Sequence, residues 1–444
     1  MKTAADRRLP RRRFLQQTGL SAAGVWLTGG ALARGGGSPN GLVNVAFVGV
    51  AHRAADNLAE ISKLTESAKV VALCDVDDHY LADAQQHHPA ARTYNDFREM
   101  LAGKDIDAVV VSTPDHCHAA ATAAALHGGR HVYCEKPLTH TVAEARRITE
   151  LAQRTKRVTQ IGTQIHAGTN YRRVVELIQT GAIGSVLEAH VWCGATYGGK
   201  SLPPASPPVP PGLHWDLWLG PVPPCPYHPE YLPTTWRNWW AFGGGTLADF
   251  GCHFMDLPFW ALGLRYPEVI EVLDGPPVHP ESVPPWLIVR YQYPGRAPTR
   301  TGVRQPPITL TWYHGGKQPQ LLTDEQATYF KSGVLFVGEQ GRLLADYTRR
   351  VLLPEESFTD FKAPTPFIPD SIGHHKEWIE AIRTGGTTTC QFGYSGPLTE
   401  AALLGNVAYR VGQRLDWDHQ KLRVRNCRAA TPFIQYQYRS GWRL

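Results

Sequence analysis

The chain has 444 residues, 43% hydrophobic and 19% charged, enough for about two domains with packed cores and too rich in apolar residues for a disordered chain. Of the formal net charge of +6, residues 1–33 carry most, because Lys2, Arg7, Arg8, Arg11, Arg12 and Arg13 outweigh Asp6. The rest is nearly neutral, which argues against a nucleic acid or an anionic membrane surface as partner.

In chain order, Arg11-Arg12-Arg13-Phe14-Leu15-Gln16 fits the twin-arginine export pattern. Thr18 to Leu32 is apolar but too short and mild to span a bilayer, and Ala31-Leu32-Ala33 is a small-residue cleavage site. The expectation is a leader over 1–33 cleaved near Ala33, a flexible linker over 34–42, recognition by the twin-arginine machinery, a periplasmic or exported location, and no stable membrane insertion. Eight scattered cysteines form no C-x-x-C pair and read as buried thiols.

From residue 43, strands and helices alternate. Val43 to Val50 is an almost unbroken apolar strand, followed by a helical stretch over Ala54 to Leu64 and a strand over Lys69 to Leu73 ending in Cys74-Asp75. A helix over Tyr80 to His87, a strand over Asp107 to Ser112, an alanine-rich helix over His116 to Leu126 and a strand over His131 to Cys134 follow. This pattern predicts a doubly wound parallel sheet, a Rossmann-type domain over 43–160. Its first turn would meet a dinucleotide pyrophosphate, and Asp75 would reach the ribose hydroxyls. The turn reads Gly49-Val50-Ala51-His52-Arg53-Ala54, keeping the first of the three usual glycines. Ala51 departs where the second glycine admits the pyrophosphate, and Arg53 can offset the loss by pairing with phosphate. Asp75 favours NAD over NADP, since a carboxylate repels a 2′-phosphate, though NADP stays possible.

Glu135-Lys136-Pro137 ends the strand at Cys134 and places a lysine on a rigid turn at the carboxyl edge of the sheet. A helix over Val142 to Arg154 and a strand over Val158 to Ile161 close this part. The remainder, 161–444, reads as an α+β domain with a large open, mostly antiparallel sheet. Its predicted elements are a helix over Thr169 to Gln179, strands over Val186 to Trp192, Trp286 to Tyr293 and Ile308 to Tyr313, and late helices over His374 to Arg383 and Leu398 to Val411. Leu202 to Pro226 is a proline-rich loop whose exit tryptophans suggest an ordered lid or a partner surface. Asp249 and His253 stand at i, i+4 and share one helix face. A histidine is suited to take a proton from an alcohol, and an aspartate to orient it or to bind a neighbouring hydroxyl. Trp236 and Arg237 offer an aromatic face and a forked donor for a polyhydroxylated ring. His116, His118, His166, His374 and His375 lack metal-ligand spacing, so no metal is expected.

Gly49, Asp75, Ser112-Thr113-Pro114-Asp115-His116, Glu135-Lys136-Pro137, Gly162-Thr163-Gln164 and Asp249 to Asp256 together resemble the Gfo/Idh/MocA family, the glucose–fructose oxidoreductase and inositol dehydrogenase group. With Asn170 to Gly184 and Trp215 to Pro221, the chain is most similar to its exported members. The resemblance implies a nicotinamide-dependent oxidoreductase acting on a sugar, cyclitol or glycoside, with Lys136, Asp249 and His253 catalytic. It implies cofactor contacts from Gly49, Ala51, His52, Arg53, Asp75, Thr113, Pro114, His118, Glu135 and Gln164, and a substrate-facing helix start at Tyr171 and Arg172. It further implies a homo-oligomer built on the open sheet. Export with an unexchangeable cofactor requires NAD to regain its redox state in each cycle. Coupled oxidation and reduction of two sugars does so, as does glycoside cleavage by oxidation, elimination, hydration and reduction. A non-catalytic sugar-binding protein with a degenerate cofactor loop is the alternative outside enzymes.

Overall fold

The computed structural model describes residues 41–201 and 206–444; the expected twin-arginine leader, its expected cleavage site and the expected linker as far as Asn40 lie outside the described residues. The first half builds β1 (Val43–Val48), α1 (Arg53–Ser62), β2 (Ala68–Cys74), α2 (Asp78–His87), β3 (Arg92–Tyr94), α3 (Phe97–Met100), β4 (Ala108–Val111), α4 (Asp115–His127), β5 (His131–Cys134), α5 (Val142–Thr155) and β6 (Thr159–Ile161). The six strands are parallel, in the order β3-β2-β1-β4-β5-β6. β1 shows why its sequence is continuously apolar. Val45 and Phe47 face a core with Leu58, Ile61 and Trp378, while Ala46 and Val48 face another with Ala119, Ala121 and Ile148. A strand covered on both sides has no polar face to offer. The strand order reverses between β1 and β4, so the chain diverges there and opens a crevice at the carboxyl ends.

The second half adds α6 (Thr169–Gln179), β7 (Val186–Cys193), α7 (Trp215–Leu219), α8 (Gly245–Phe254), α9 (Asp256–Leu262), β8 (Val269–Asp274), β9 (Leu287–Tyr293), β10 (Ile308–His314), α10 (Asp324–Tyr329), β11 (Gly333–Gly338), β12 (Gly341–Ala345), β13 (Arg350–Leu353), α11 (His374–Thr384), α12 (Phe392–Val411), β14 (Leu415–Asp418) and β15 (Arg423–Val424). Nine of its strands form one sheet in the order β13-β12-β11-β7-β10-β9-β8-β14-β15, antiparallel except where β10 meets β7. Residues from α6, α8, α9 and α12 share a core with Val191, Tyr291 and Trp312 from its strands. No described helix is long and apolar enough to cross a membrane. The eight cysteines are free, and seven of them are buried.

The last long helix begins six residues before the predicted Leu398, and Pro397 lies inside it. A helix-interior proline leaves the carbonyl four residues earlier without its usual donor. That carbonyl belongs to Gly393, and the Arg265 guanidinium donates to it at 2.7 Å. A residue from a distant loop therefore lets the helix run through its proline.

α12 packs on both α5 and α8, joining the helical layer of the parallel sheet to that of the second. The joint contains a forked ion pair. Arg146 Nε and Nη2 donate to the two oxygens of Glu400, each at 2.8 Å, and Glu400 is 1% exposed. Arg146→Ala would leave that carboxylate buried without its cation, so urea unfolding should show a loss of about 3–5 kcal/mol.

Candidate functional site

A cavity of about 1070 Å³ lies between the crevice of the parallel sheet, α8 and the aromatic segment leading into α8. It exceeds the roughly 300–1,000 Å³ of ordinary small-molecule pockets, as a site for a dinucleotide and a second molecule would. All ten predicted cofactor residues line it, as do Lys136, Asp249, His253, Trp236 and Arg237.

At one end, β1 gives way to the glycine turn. Gly49 has a φ of +89°, and a Cβ there would lie 2.6 Å from the Ser112 carbonyl oxygen, so only glycine fits the crossing of β1 and β4. Ala51 is not among the described residues with positive φ; that conformation falls on His52, at φ 54° and ψ −119°. The backbone departure from the glycine-rich pattern is thus concentrated at His52, not at Ala51. His52 places no side-chain cap on α1, so the first amides of this ten-residue helix have no side-chain acceptor. Such a terminus suits a pyrophosphate, and Arg53 stands beside it. Asp75, at the end of β2, accepts the Val50 amide at 2.9 Å and the Asp77 amide at 3.0 Å. Burial pushes its carboxyl up to about 6 although those amides favour the ionised form. Each oxygen keeps a lone pair for a ribose hydroxyl. Turn, helix end and carboxylate together fit NAD.

The reacting end is an ion cluster. Lys136 Nζ lies 2.5 Å from Asp249 Oδ1, and Arg237 Nε lies 3.2 Å from the same oxygen. Tyr197 donates its hydroxyl to Asp249 Oδ2 at 3.2 Å. Burial alone would raise the Asp249 carboxyl, but Lys136 and Arg237 hold it well below the usual range. Asp249 is therefore engaged by three side chains other than His253, so of the two roles open to it, orienting the imidazole or binding a neighbouring hydroxyl, the first has no hydrogen bond behind it. His253 Nδ1 is buried with no hydrogen-bond partner. Burial, with Lys136 adding to it, pushes the imidazole down to about 3, which keeps it neutral with its ring nitrogens free of a second proton but lowers its basicity.

Glu135 fastens the lysine turn from below. Its carboxylate accepts Asn57 Nδ2 and Gln164 Nε2, both at 2.9 Å, with Arg53 Nε at 3.4 Å. A Cβ on Gly162 would sit 2.4 Å from the Glu135 carboxyl carbon, so the glycine before Thr163-Gln164 makes room for this acid.

Several residues occupy other places than the sequence suggested. Tyr171 and Arg172 do not line the cavity. Tyr171 is 0% exposed and reaches the His253 carbonyl from behind at 3.5 Å, while Arg172 donates to the Pro369 carbonyl at 2.6 Å. The amphipathic pattern of α6 is as compatible with a core face as with a pocket face, and packing selected the core. His118 borders the cavity but is buried, with its ring nitrogens 2.7 Å from the Pro137 carbonyl and 2.8 Å from the Thr113 carbonyl. It ties two loops together. Asp115 and Tyr197 were not anticipated as site residues. Asp115 lines the cavity beside Arg237, and burial holds its carboxyl well above the ordinary range. Nothing in the sequence around Tyr197 signalled its role, which depends on the end of β7 passing α8. His166, Asp256 and Cys390 bring three possible metal-ligand atoms within 4.8 Å of one another. Asp256 is already bonded there to His166 Nδ1 at 2.9 Å and to the Tyr394 hydroxyl at 2.7 Å, which reads as a satisfied core cluster.

Models of the Gfo/Idh/MocA oxidoreductase family match residues 43–163, as its NAD-binding Rossmann fold, and residues 168–298, as its C-terminal alpha/beta domain; together these cover more than half of the chain. An inositol 2-dehydrogenase of Salmonella typhimurium is 30% identical over 165 residues, 37% of this chain and 47% of that protein. A glycosyl hydrolase family 109 protein of Shewanella pealeana is 29% identical over 205 residues, 40% of this chain and 45% of that protein. The chain thus spans about half the length of the curated relatives it matches. Among solved structures, the WlbA dehydrogenase from Bordetella pertussis, in complex with NADH and UDP-GlcNAcA, aligns with a TM-score of 0.60 at 18% identity, over 85% of this chain and 99% of that one. Aldose-aldose oxidoreductase from Caulobacter crescentus, complexed with glycerol, aligns with a TM-score of 0.57 at 16% identity, over 85% and 100%.

The ion cluster makes a prediction that needs no substrate. Lys136→Ala leaves Arg237 as the cation beside Asp249. With aspartate carbon-13 labelled, the Asp249 carboxyl should then titrate about 1–3 pH units higher by NMR, since a close opposite charge is worth that much.

Proposed function

Because the chain belongs to the Gfo/Idh/MocA oxidoreductase family, we propose that it transfers a hydride between NAD and a carbinol carbon of a sugar, cyclitol or glycoside. The observation that carries this reading is the meeting of Lys136 with Asp249 on α8, beside His253, in the cavity that Gly49, Arg53 and Asp75 also line. NAD, when bound, accepts the hydride and can return it. Arg53 and the open end of α1 would hold its pyrophosphate, and Asp75 a ribose.

The protein's own groups supply the rest. Neutral His253 is the base positioned to take the hydroxyl proton as hydride departs, a role worth roughly 10²–10⁴ in rate, with Lys136 acidifying the hydroxyl to offset the low basicity that burial gives the ring. Lys136 stabilises negative charge developing on that oxygen in a water-poor setting. Asp249 holds Lys136 in place and offers its remaining lone pairs to a neighbouring hydroxyl.

Cofactor retention is part of the proposal. The Asp78 amide donates to the Gly212 carbonyl at 2.9 Å, the His214 amide donates to the Val76 carbonyl at 2.8 Å, and His214 Nε2 lies 3.1 Å from Asp78 Oδ1. These bonds strap the proline-rich segment over the loop that follows Asp75, where an adenosine ribose would sit. A strapped cofactor must be recycled in place. The similarity to glycosyl hydrolase family 109 proteins supports a second reading, glycoside cleavage. There, the alcohol is oxidised to a ketone, a proton and the aglycone are eliminated, water adds, and the hydride returns. We also propose that copies of the chain associate through the face of the nine-stranded sheet away from its helices, where Arg290 and Glu271 pair across strands.

NAD(H) should accompany the purified protein near one per chain, assayed in the supernatant after heat denaturation; none, and no uptake of added NAD, would remove the oxidoreductase reading. His253→Ala should keep that content while slowing single-turnover reduction of bound NAD by about 10²–10⁴-fold.

Export through the twin-arginine route is proposed from residues 11–16. Replacing Arg11 and Arg12 by lysine should leave the folded protein in the cytoplasm, as followed by cell fractionation. Unchanged export of the double variant would exclude this signal.

A further inference from the structure

We propose that the cavity holds a second binding place, an apolar shelf beside the ion cluster that seats the aglycone of a glycoside substrate. Its members are Tyr227, Pro229, Leu232, Pro233, Thr234 and Trp236, which line the same cavity as Lys136, Asp249 and His253. The shelf is joined to the reacting centre through Arg237. The guanidinium of Arg237 covers the Trp236 ring at 4.1 Å, its Nη1 donates to the Thr234 carbonyl at 3.4 Å, and its Nε lies 3.2 Å from Asp249.

The shelf also has a firm base. Tyr231 sits edge-on to Trp239 and Phe242, and Trp215 edge-on to Tyr227, within a buried aromatic cluster that includes Trp236. Two prolines and a leucine contribute no side-chain hydrogen bond, leaving the Tyr227 and Thr234 hydroxyls and the Trp236 indole N–H as the polar side-chain groups of this wall. A second sugar ring would lose its hydration there for few replacements, which is costly. An aromatic or aliphatic group loses nothing polar and gains apolar contact. Pro229, Pro233 and Thr234 are exposed, so the shelf opens outward and a bulky group can project from it.

This proposal rests on the reading of the ion cluster as a centre acting on a sugar hydroxyl, and it names the substrate as a glycoside with an apolar aglycone. The test uses the protein as purified, with 4-nitrophenol as probe, followed by saturation-transfer NMR. Binding should be present in the wild type and in the Leu273→Asp control on β8. It should weaken at least tenfold in Leu232→Asp, or in Leu232→Asn if the aspartate variant does not fold. Matched methyl and 4-nitrophenyl glucosides, galactosides and N-acetylglucosaminides should compete with the probe, the aryl member of each pair about 10–100-fold more tightly, as burial of an added ring predicts. Absence of 4-nitrophenol binding, binding indifferent to Leu232 or equal competition by both members of every pair would each overturn the shelf. NAD content is measured on the same samples. A preparation that carries no NAD, takes up none on addition and still binds the probe at Leu232 overturns the oxidoreductase reading and keeps the shelf, whereas full NAD without probe binding does the reverse.

Discussion

The contact on which the site depends is the ion pair between Lys136 and Asp249, 113 residues apart in the chain. Both side chains are largely removed from water, at 11% and 4% exposure. Buried charges are tolerable only when paired and hydrogen-bonded on their remaining valences. Arg237 and Tyr197 complete that requirement for Asp249. The pair joins the turn after β5 to α8, and Arg237 and Tyr197 bring in the aromatic segment and the end of β7. Two cations share one carboxylate, and the surplus positive charge faces the place where an alkoxide would form.

The start of α4 organises the same junction by other means. The His118 ring packs between the carbonyls of Thr113 and Pro137, at the junction of the turn before α4 and the lysine turn. The rings and carbonyls around His116 belong to the aromatic segment: its ring nitrogens approach the Trp218 carbonyl at 2.8 Å and the Phe242 carbonyl at 3.3 Å. The Thr113-Pro114-Asp115-His116 motif therefore serves as a docking joint as well as a cofactor wall. Buried backbone carbonyls at loop ends need donors, and each of these histidines, kept neutral by burial, supplies one N–H to one of its two carbonyls. The geometry of the ion cluster is inherited from these less conspicuous bonds.

The outlines of the parallel sheet were legible because five of its six strands carry their own signal; β3, the three residues Arg92–Tyr94, does not. β4 is apolar throughout, β1 and β5 are so apart from Asn44 and His131, and α1 alternates buried and exposed residues with the helical period. The second sheet was less legible. β7, β9 and β10 were visible as runs, whereas β8 and β11 to β15 are two to six residues long and gain their extended form from the strands they pair with. The start of α12 was hidden for a related reason: Pro397 ordinarily ends a helix, and only Arg265, supplied from 128 residues away, relieves the Gly393 carbonyl. Among site residues, motif spacing located Lys136, Asp249 and His253, yet spacing could not separate the buried Tyr171 and Arg172 from the cavity-lining Trp236 and Arg237.

The sequence by itself determined the strand–helix alternation, the glycine at β1, the carboxylate at β2, the lysine turn and the shared face of Asp249 and His253. Each depends on residues within a few positions, where backbone sterics and burial period act directly. Only the tertiary structure decided which partners those groups meet: Asp249 with Lys136, Arg237 and Tyr197 rather than with His253, and the proline-rich segment with the loop after Asp75. Those choices follow from the desolvation of charges and the satisfaction of buried polar groups, which act between whichever side chains the packed fold brings together, without regard to their separation along the chain.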